Sequence, residues 1–168
     1  MINLKTTREL RYMRDAGKIS QEALLKAGEA VRPGVSTLEL DKIVRRTIEK
    51  AGAVPSFLGY GGFPASACIS VNNVVIHGIP SAHEILKEGD IVSIDVGAIY
   101  EGFNGDNAWT FPCGKVSEEA QKLMDATRES LFLAIEKAVP GNRIGDIGSA
   151  VQQLSLIHIS EPTRRSYI

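Results

Sequence analysis

Two aspartates carry the most chemical information in this chain. Asp95 lies in Asp90-Ile-Val-Ser-Ile-Asp-Val-Gly-Ala-Ile-Tyr100, and Asp106 in Gly102-Phe-Asn-Gly-Asp-Asn-Ala-Trp-Thr-Phe111. Both are carboxylates inside apolar, β-rich runs. If Tyr100-Glu101 is a two-residue turn, the flanking strands set Asp95 directly opposite Asp106 on one face, with Cβ atoms about 5 Å apart. Two ionised carboxylates at that distance repel by about 3 kcal/mol at an effective dielectric of about 20. The pair must therefore share a proton, open to solvent or hold a cation, and a divalent cation relieves the repulsion best. Sites with two metals about 3.5–4 Å apart use bridging and chelating carboxylates, and oxygen and imidazole donors suit Mn, Fe, Co or Zn. Either aspartate alone reads most simply as a hydrogen-bonded structural carboxylate. The spacing of the two is what points to metal chemistry.

A second candidate is His77, in Val74-Val-Ile-His-Gly-Ile-Pro80, at the end of an apolar run where Gly78 and Pro80 turn the chain. An imidazole at a strand mouth can bind a substrate or donate to it near neutral pH. His83, in Ser81-Ala-His-Glu84, reads as an exposed loop residue without a role. The segment Phe57-Leu-Gly-Tyr-Gly-Gly-Phe-Pro64 is a Gly-rich aromatic loop preceding Ser66 and Cys68. Its glycines permit close backbone approach, but it lacks the strand, helix and spacing of a phosphate-binding loop. Tyr60 and Phe63 are candidates to line an apolar pocket.

The elements that must hold these residues follow from periodicity and caps. Thr6 with Glu9, and Ser36 with Glu39, have capping-box spacing. They predict a helix from about Glu9 to Val31, carrying Leu10, Met13, Ile19, Leu24 and Leu25, and a second from about Thr37 to Lys50. Leu38, Leu40, Ile43, Val44 and Ile48 are the expected buried face of the second, and Pro33-Gly34 separates the two. Ala67 to Val71 and Val74 to Ile76 are strand candidates around Asn72-Asn73; Ile91 to Ile99 and Gly102 to Phe111 are two more. Ser117 caps a long helix whose apolar side holds Ala120, Leu123, Met124, Ala126, Leu131, Leu133 and Ile135, ended by Pro140-Gly141, and a last helix starts near Arg143. The order ααββββαα predicts an α+β fold of antiparallel hairpins with flanking helices.

Composition narrows the partners. The 168 residues are 43% hydrophobic and 23% charged, and 19 basic against 20 acidic residues give a net charge of -1. That is an ordinary globular composition with no electrostatic footprint for nucleic acid or an anionic membrane. No leader and no stretch near the roughly 18 apolar residues of a membrane span are present, so a cytoplasmic location is expected. Cys68 and Cys113, the two cysteines, are then expected as reduced thiols.

The segment from Leu154 departs from what precedes it. Ile144, Ile147 and Val151 keep helical spacing, but Leu154-Ser-Leu-Ile-His-Ile-Ser-Glu-Pro-Thr-Arg164 drops it without a turn signal. That peptide is similar to the translation of a transposase adapter used in sequencing libraries. Residues 154–168 are therefore read as a non-native tail to a domain covering residues 1–153, and His158 is no ligand candidate.

Taken together, Leu58-Gly-Tyr-Gly-Gly-Phe-Pro64, Cys68-Ile-Ser-Val-Asn-Asn-Val-Val-Ile-His-Gly-Ile-Pro80, the run around Asp95 and Gly105-Asp106 resemble the type I methionine aminopeptidases. The resemblance runs from about Ile2 to Gln153 and includes Arg32-Pro-Gly-Val-Ser-Thr37 and Val139-Pro-Gly141. It implies the pita-bread fold, here its N-terminal half, and metal-dependent removal of the initiator methionine. By resemblance, Asp95 chelates one of two divalent metals, Asp106 bridges both, and His77 contacts the substrate near the scissile amide. Tyr60, Phe63 and Cys68 line the methionine pocket, and Phe57 stands where bacterial members often carry cysteine. The implied partners are nascent polypeptide N-termini, met at the ribosome, and the implied full-length enzyme is a monomer. The family's other ligands, one His and two Glu, are not found in this sequence, so the chain by itself is expected to be inactive. An uncovered apolar sheet face and poor solubility are expected with it. The alternatives are a proline dipeptidase or aminopeptidase P, which usually carry an extra N-terminal domain, a metal-free peptide-binding module, and a structural domain without a site.

Overall fold

The computed structural model describes the backbone of residues 4–158 and the side chains of residues 4–154. Most of the segment from Leu154 onward therefore lies outside the described residues. The chain divides into two compact units between Val116 and Ser117.

In the first unit, α1 (Thr7–Glu29) and α2 (Thr37–Lys50) both begin at complete capping boxes, Thr6 with Glu9 and Ser36 with Glu39. Each box satisfies two of the amide donors that a helix start leaves without partners. Four strands follow: β1 (Val54–Pro55), β2 (Ala67–Val71), β3 (Ile91–Tyr100) and β4 (Phe103–Pro112). All pairs are antiparallel and β3 is the axis, with β4 along one edge and β2 then β1 along the other. The fold is α+β, as the element order implies.

Alternation along β3 separates two faces. Val92, Ile94, Val96 and Ala98 point with Ala67, Ile69 and Val71 into a core closed by Leu24, Leu40, Val44 and Ile48 of the helices. The apolar sheet face is thus covered, contrary to the expectation of an open one. Exposed apolar side chains remain at the sheet margins, at Val54 of β1 and Trp109 of β4, and in the loop after β2, at Val75, Ile76 and Ile79.

The seam between α1 and β4 is made of small residues. Ala16, Ser20, Ala23 and Ala27 are buried, whereas Leu10, Met13 and Leu25 of the expected apolar stripe are exposed. The reason is close approach. Gly105 lies against the backbone of Ala16 and Gly17, and Gly28 lies under the Phe111 ring. Asn107 donates to Gly17 O at 3.1 Å and Ser20 Oγ at 2.6 Å, and Tyr12 stacks on Phe103 at 5.8 Å. Larger side chains on this face of the helix would hold the two backbones apart.

Two further expectations are corrected. Val74–Ile76 is not a strand: after the turn at Asn72-Asn73, residues 74–80 run irregularly, because His77 adopts φ 57, which no strand accommodates. The β3–β4 turn is Glu101-Gly102, with φ 50 and 79, rather than Tyr100-Glu101. Positive φ at both central residues is the type I′ requirement, and glycine at the second meets it where an aromatic at the first would be strained.

In the second unit, α3 (Glu118–Glu136) is capped by Ser117, whose hydroxyl accepts from Ala120 N at 3.1 Å, and α4 spans Ile144–His158. The buried positions of α3 are Ala126, Ser130 and Ala134; Leu123, Leu131 and Ile135, expected on its packed side, are exposed. Among the described residues, no helix is long and apolar enough to cross a membrane.

Candidate metal centre

The second face of the sheet carries the polar groups. The true turn shifts the register, so Asp95 pairs with Ala108 and Asp106 with Gly97. The two aspartates are therefore not directly opposed but diagonal neighbours. A two-residue offset keeps both on one face, within reach of each other. Cys68 of β2 lies directly across from Asp95 on the other side, so three of the expected site residues form a row on the same face. Ser93 Oγ and Thr110 Oγ1, 2.8 Å apart, continue it.

Asp95 is half-buried, and its Oδ1 is fully enclosed without a hydrogen-bond partner among the described residues. Burial pushes its carboxyl up to about 6; the facing Asp106 charge adds to the rise and His77 opposes it. A buried carboxylate oxygen with no donor is costly, and a cation is what such an atom lacks. Among the described residues, no group of three or more His, Cys, Asp or Glu side chains gathers in metal-binding range. The aspartates thus fit a divalent metal as two hard oxygen donors of a larger set.

Cys68 is buried, and its thiol is pushed up to about 11, first by burial and then by the charges of Asp95 and Asp106. It is a neutral, unreactive thiol, and no disulfide joins it to Cys113. His77 stands exposed in left-handed backbone beyond β2. Tyr60 is exposed and Phe63 half-buried, on a 3-10 turn over Tyr60–Gly62 where Gly59, Gly61 and Gly62 all have positive φ. Glycine is what lets this turn form. Ahead of this turn, the chain is tied to the strand that carries Asp95. Ser56 N donates to Gly97 O at 3.0 Å, and the Phe57 ring and Ser56 Oγ occupy the space a Cβ at Gly97 would need. Since Gly97 pairs with Asp106, Phe57 sits at the edge of the face that carries the two carboxylates.

Two residues that hold the site were not singled out from sequence. Gly97 is one; a glycine within a valine- and isoleucine-rich strand is the signal for such an approach. Asp41 is the other. From α2, its Oδ1 accepts from Ser66 N at 2.8 Å and Ala67 N at 2.9 Å, which pins the start of β2 just before Cys68. Burial raises its carboxyl pKa despite those bonds. Nothing in its helical position distinguishes it from a solvated aspartate. Asp41→Ala leaves two buried amides unpaired and is expected to cost about 2–4 kcal/mol in urea unfolding. Asp41→Asn keeps an acceptor there and should cost less than half of that; equal losses would mean the carboxylate is not the anchor.

Residues 11–156 match the model of metallopeptidase family M24. The chain is 54% identical, over 153 residues, to a methionine aminopeptidase of Clostridium acetobutylicum, covering 91% of this chain and 61% of that protein. Among solved structures it is similar to the methionine aminopeptidase of Rickettsia prowazekii, with TM-score 0.91 and 39% identity over 94% of this chain and 63% of that one. The Thermotoga maritima methionine aminopeptidase gives TM-score 0.89 and 40% identity, with coverage of 92% and 62%. The chain thus spans about three-fifths of the length of these proteins, and over that span its fold is the pita-bread fold they share. Divalent metal use is a property of the family as a whole. On this fold, with this pair of carboxylates on its open face, the chain belongs to metallopeptidase family M24, and within that family it is the methionine aminopeptidases that it is similar to.

Proposed function

We propose that the protein, at the full length of the relatives it resembles, removes the initiator methionine from nascent polypeptides, using two divalent ions (Co, Mn, Fe or Zn) held in part by Asp95 and Asp106. The observation that carries this reading is the pairing of an enclosed, partnerless Asp95 oxygen with a second carboxylate on the same sheet face. The similarity to methionine aminopeptidases supports the choice of substrate.

When bound, divalent ions at such a site acidify a water and polarise a peptide carbonyl. The chain's own residues do the rest. Asp106, exposed on β4, and Asp95, half-buried on β3, present their oxygens to one side. His77 offers an imidazole at the strand mouth to hydrogen-bond the scissile amide. Cys68, kept neutral, supplies a soft wall suited to a thioether, and Phe63 and Tyr60 provide the aromatic surface of the methionine pocket. The protein works in the cytoplasm, as a monomer, on chains emerging from the ribosome.

The test is release of free methionine from a Met-Ala peptide by the metal-loaded full-length protein, followed by mass spectrometry, with the N-acetylated peptide and the 168-residue chain by itself as controls. Release from the free peptide alone is expected. Equal cleavage of both, or of a peptide beginning with another residue in preference to methionine, overturns the reading.

A further inference from the structure

His77 has no packing to hold it. It is exposed, as are Val75 and Ile76 before it and Ile79 after it. Its backbone is nevertheless fixed in a conformation that residues with a Cβ adopt uncommonly, φ 57. An outlier of this kind persists only where its surroundings over-determine it, and here the hydrogen bonds around it can be traced.

They converge on the next residue. Gly78 N donates to Ser70 Oγ at 3.1 Å, and Ile69 N donates to Gly78 O at 2.9 Å. A Cβ on Gly78 would overlap the Ile69 carbonyl and Ser70 Cα, which are backbone atoms that cannot move aside. Downstream, Ser81 N donates to Thr37 Oγ1 at 2.9 Å, which ties the far end of the loop to the start of α2. Upstream, Val74 N donates to Val71 O and Asn72 N to Ile91 O, both short of His77. Ser70 is itself buried, and it lies on the metal face, two residues beyond Cys68 and paired with Ser93.

We propose that Ser70 is the positioning residue for His77: its buried hydroxyl receives the Gly78 amide and thereby fixes the left-handed backbone that presents the imidazole at the metal face. This rests on the reading of His77 as the substrate-contacting residue. Ser70 touches neither metal nor substrate. It acts through Gly78, and a hydroxyl is required because among the described residues no backbone carbonyl takes that amide.

Two readouts test it. In the metal-free protein, amide exchange by NMR should show Gly78 exchanging roughly tenfold to a hundredfold faster in Ser70→Ala, the range expected for a donor stripped of its partner. The β3 amides should exchange as in the parent, and Ser70→Thr, which keeps the hydroxyl, should restore Gly78. In the metal-loaded full-length protein, Ser70→Ala should lower kcat for the Met-Ala peptide with little change in KM, and the double variant with His77→Ala should be no slower than His77→Ala alone. Gly78 exchange within about twofold of the parent overturns the proposal. So does a Ser70→Ala loss that is as large without His77 as with it. Should the full-length parent release no methionine, the functional reading fails by itself, and the exchange of Gly78 still decides whether Ser70 holds the loop.

Discussion

Asp95→Asn and Asp106→Asn are each expected to weaken binding of Mn(II) or Co(II) by at least about a hundredfold, the scale already reached when mere outer-shell partners of a metal site are lost. Calorimetric titration of the metal-stripped protein measures it. An amide oxygen can still coordinate, but it brings no charge, and the affinity of a divalent ion for oxygen donors rises with their charge. Retention of parental affinity in both variants would remove the aspartates from the ligand set. The metal-free proteins supply the control for misfolding, with a pH dependence of known sign. The folded carboxyl of Asp95 titrates at about 6, above its ordinary value of 3.8, mainly through burial and then through Asp106. Its contribution to stability is therefore fully present below about pH 4 and is lost as pH rises through 6. Without metal, Asp95→Asn should be more stable than the parent at pH 7, and the advantage should vanish near pH 4. A variant that binds no metal and is also less stable at pH 7 would point to damage rather than to a lost ligand.

The second large effect is structural and lies on the opposite face. Gly105→Val is expected to cost about 3 kcal/mol or more, a large share of the 5–15 kcal/mol that holds a typical domain together. A side chain there would enter the backbone of Ala16 and Gly17, so α1 would have to lift from β4 along the whole seam. The Tyr12–Phe103 stack and the Asn107 bonds to Gly17 and Ser20 would be lost with it. Gly17→Ala is the matched control: nothing lies within 4 Å of its Cβ, and alanine should gain up to about 1 kcal/mol in a helix interior. Urea unfolding compares the two. Similar small losses in both would mean that α1 is not seated on β4 through Gly105.

Metal affinity should follow, since Asp106 is the residue after Gly105. The same strand turns Gly105 toward the helix and Asp106 toward the carboxylate face. Displacing β4 therefore disturbs the carboxylate pair through backbone position rather than charge.

Much of this architecture was legible from residues alone. The capping boxes at Thr6 and Ser36 marked both helix starts because cap chemistry is local: side chain and amide lie three residues apart. Alternation sets Asp95 and Asp106 on a common face whether the turn is Tyr100-Glu101 or Glu101-Gly102, because a two-residue shift in register preserves it. Gly102 carried the correct answer, being the residue able to take the second left-handed position. The motifs around Tyr60, Cys68, His77 and Gly105-Asp106 sufficed to indicate the family.

What the chain could not disclose locally was decided by contact between distant segments. Leu10, Met13 and Leu25 have the periodicity of a buried stripe, yet Ala16, Ser20 and Ala27 are buried, because the distance between α1 and β4 is set by Gly105 nearly ninety residues away. Val74–Ile76 has strand propensity, yet the loop is irregular, because Gly78 must seat against Ile69 and Ser70 while Ser81 is held by Thr37. Asp41 and Ser70 look like ordinary helix and strand residues until their partners, at positions 66–67 and 78, come into view. Propensity and caps act within a few residues and can be read along the chain. Close backbone approach and the pairing of buried donors belong to surfaces that exist only once the chain has folded.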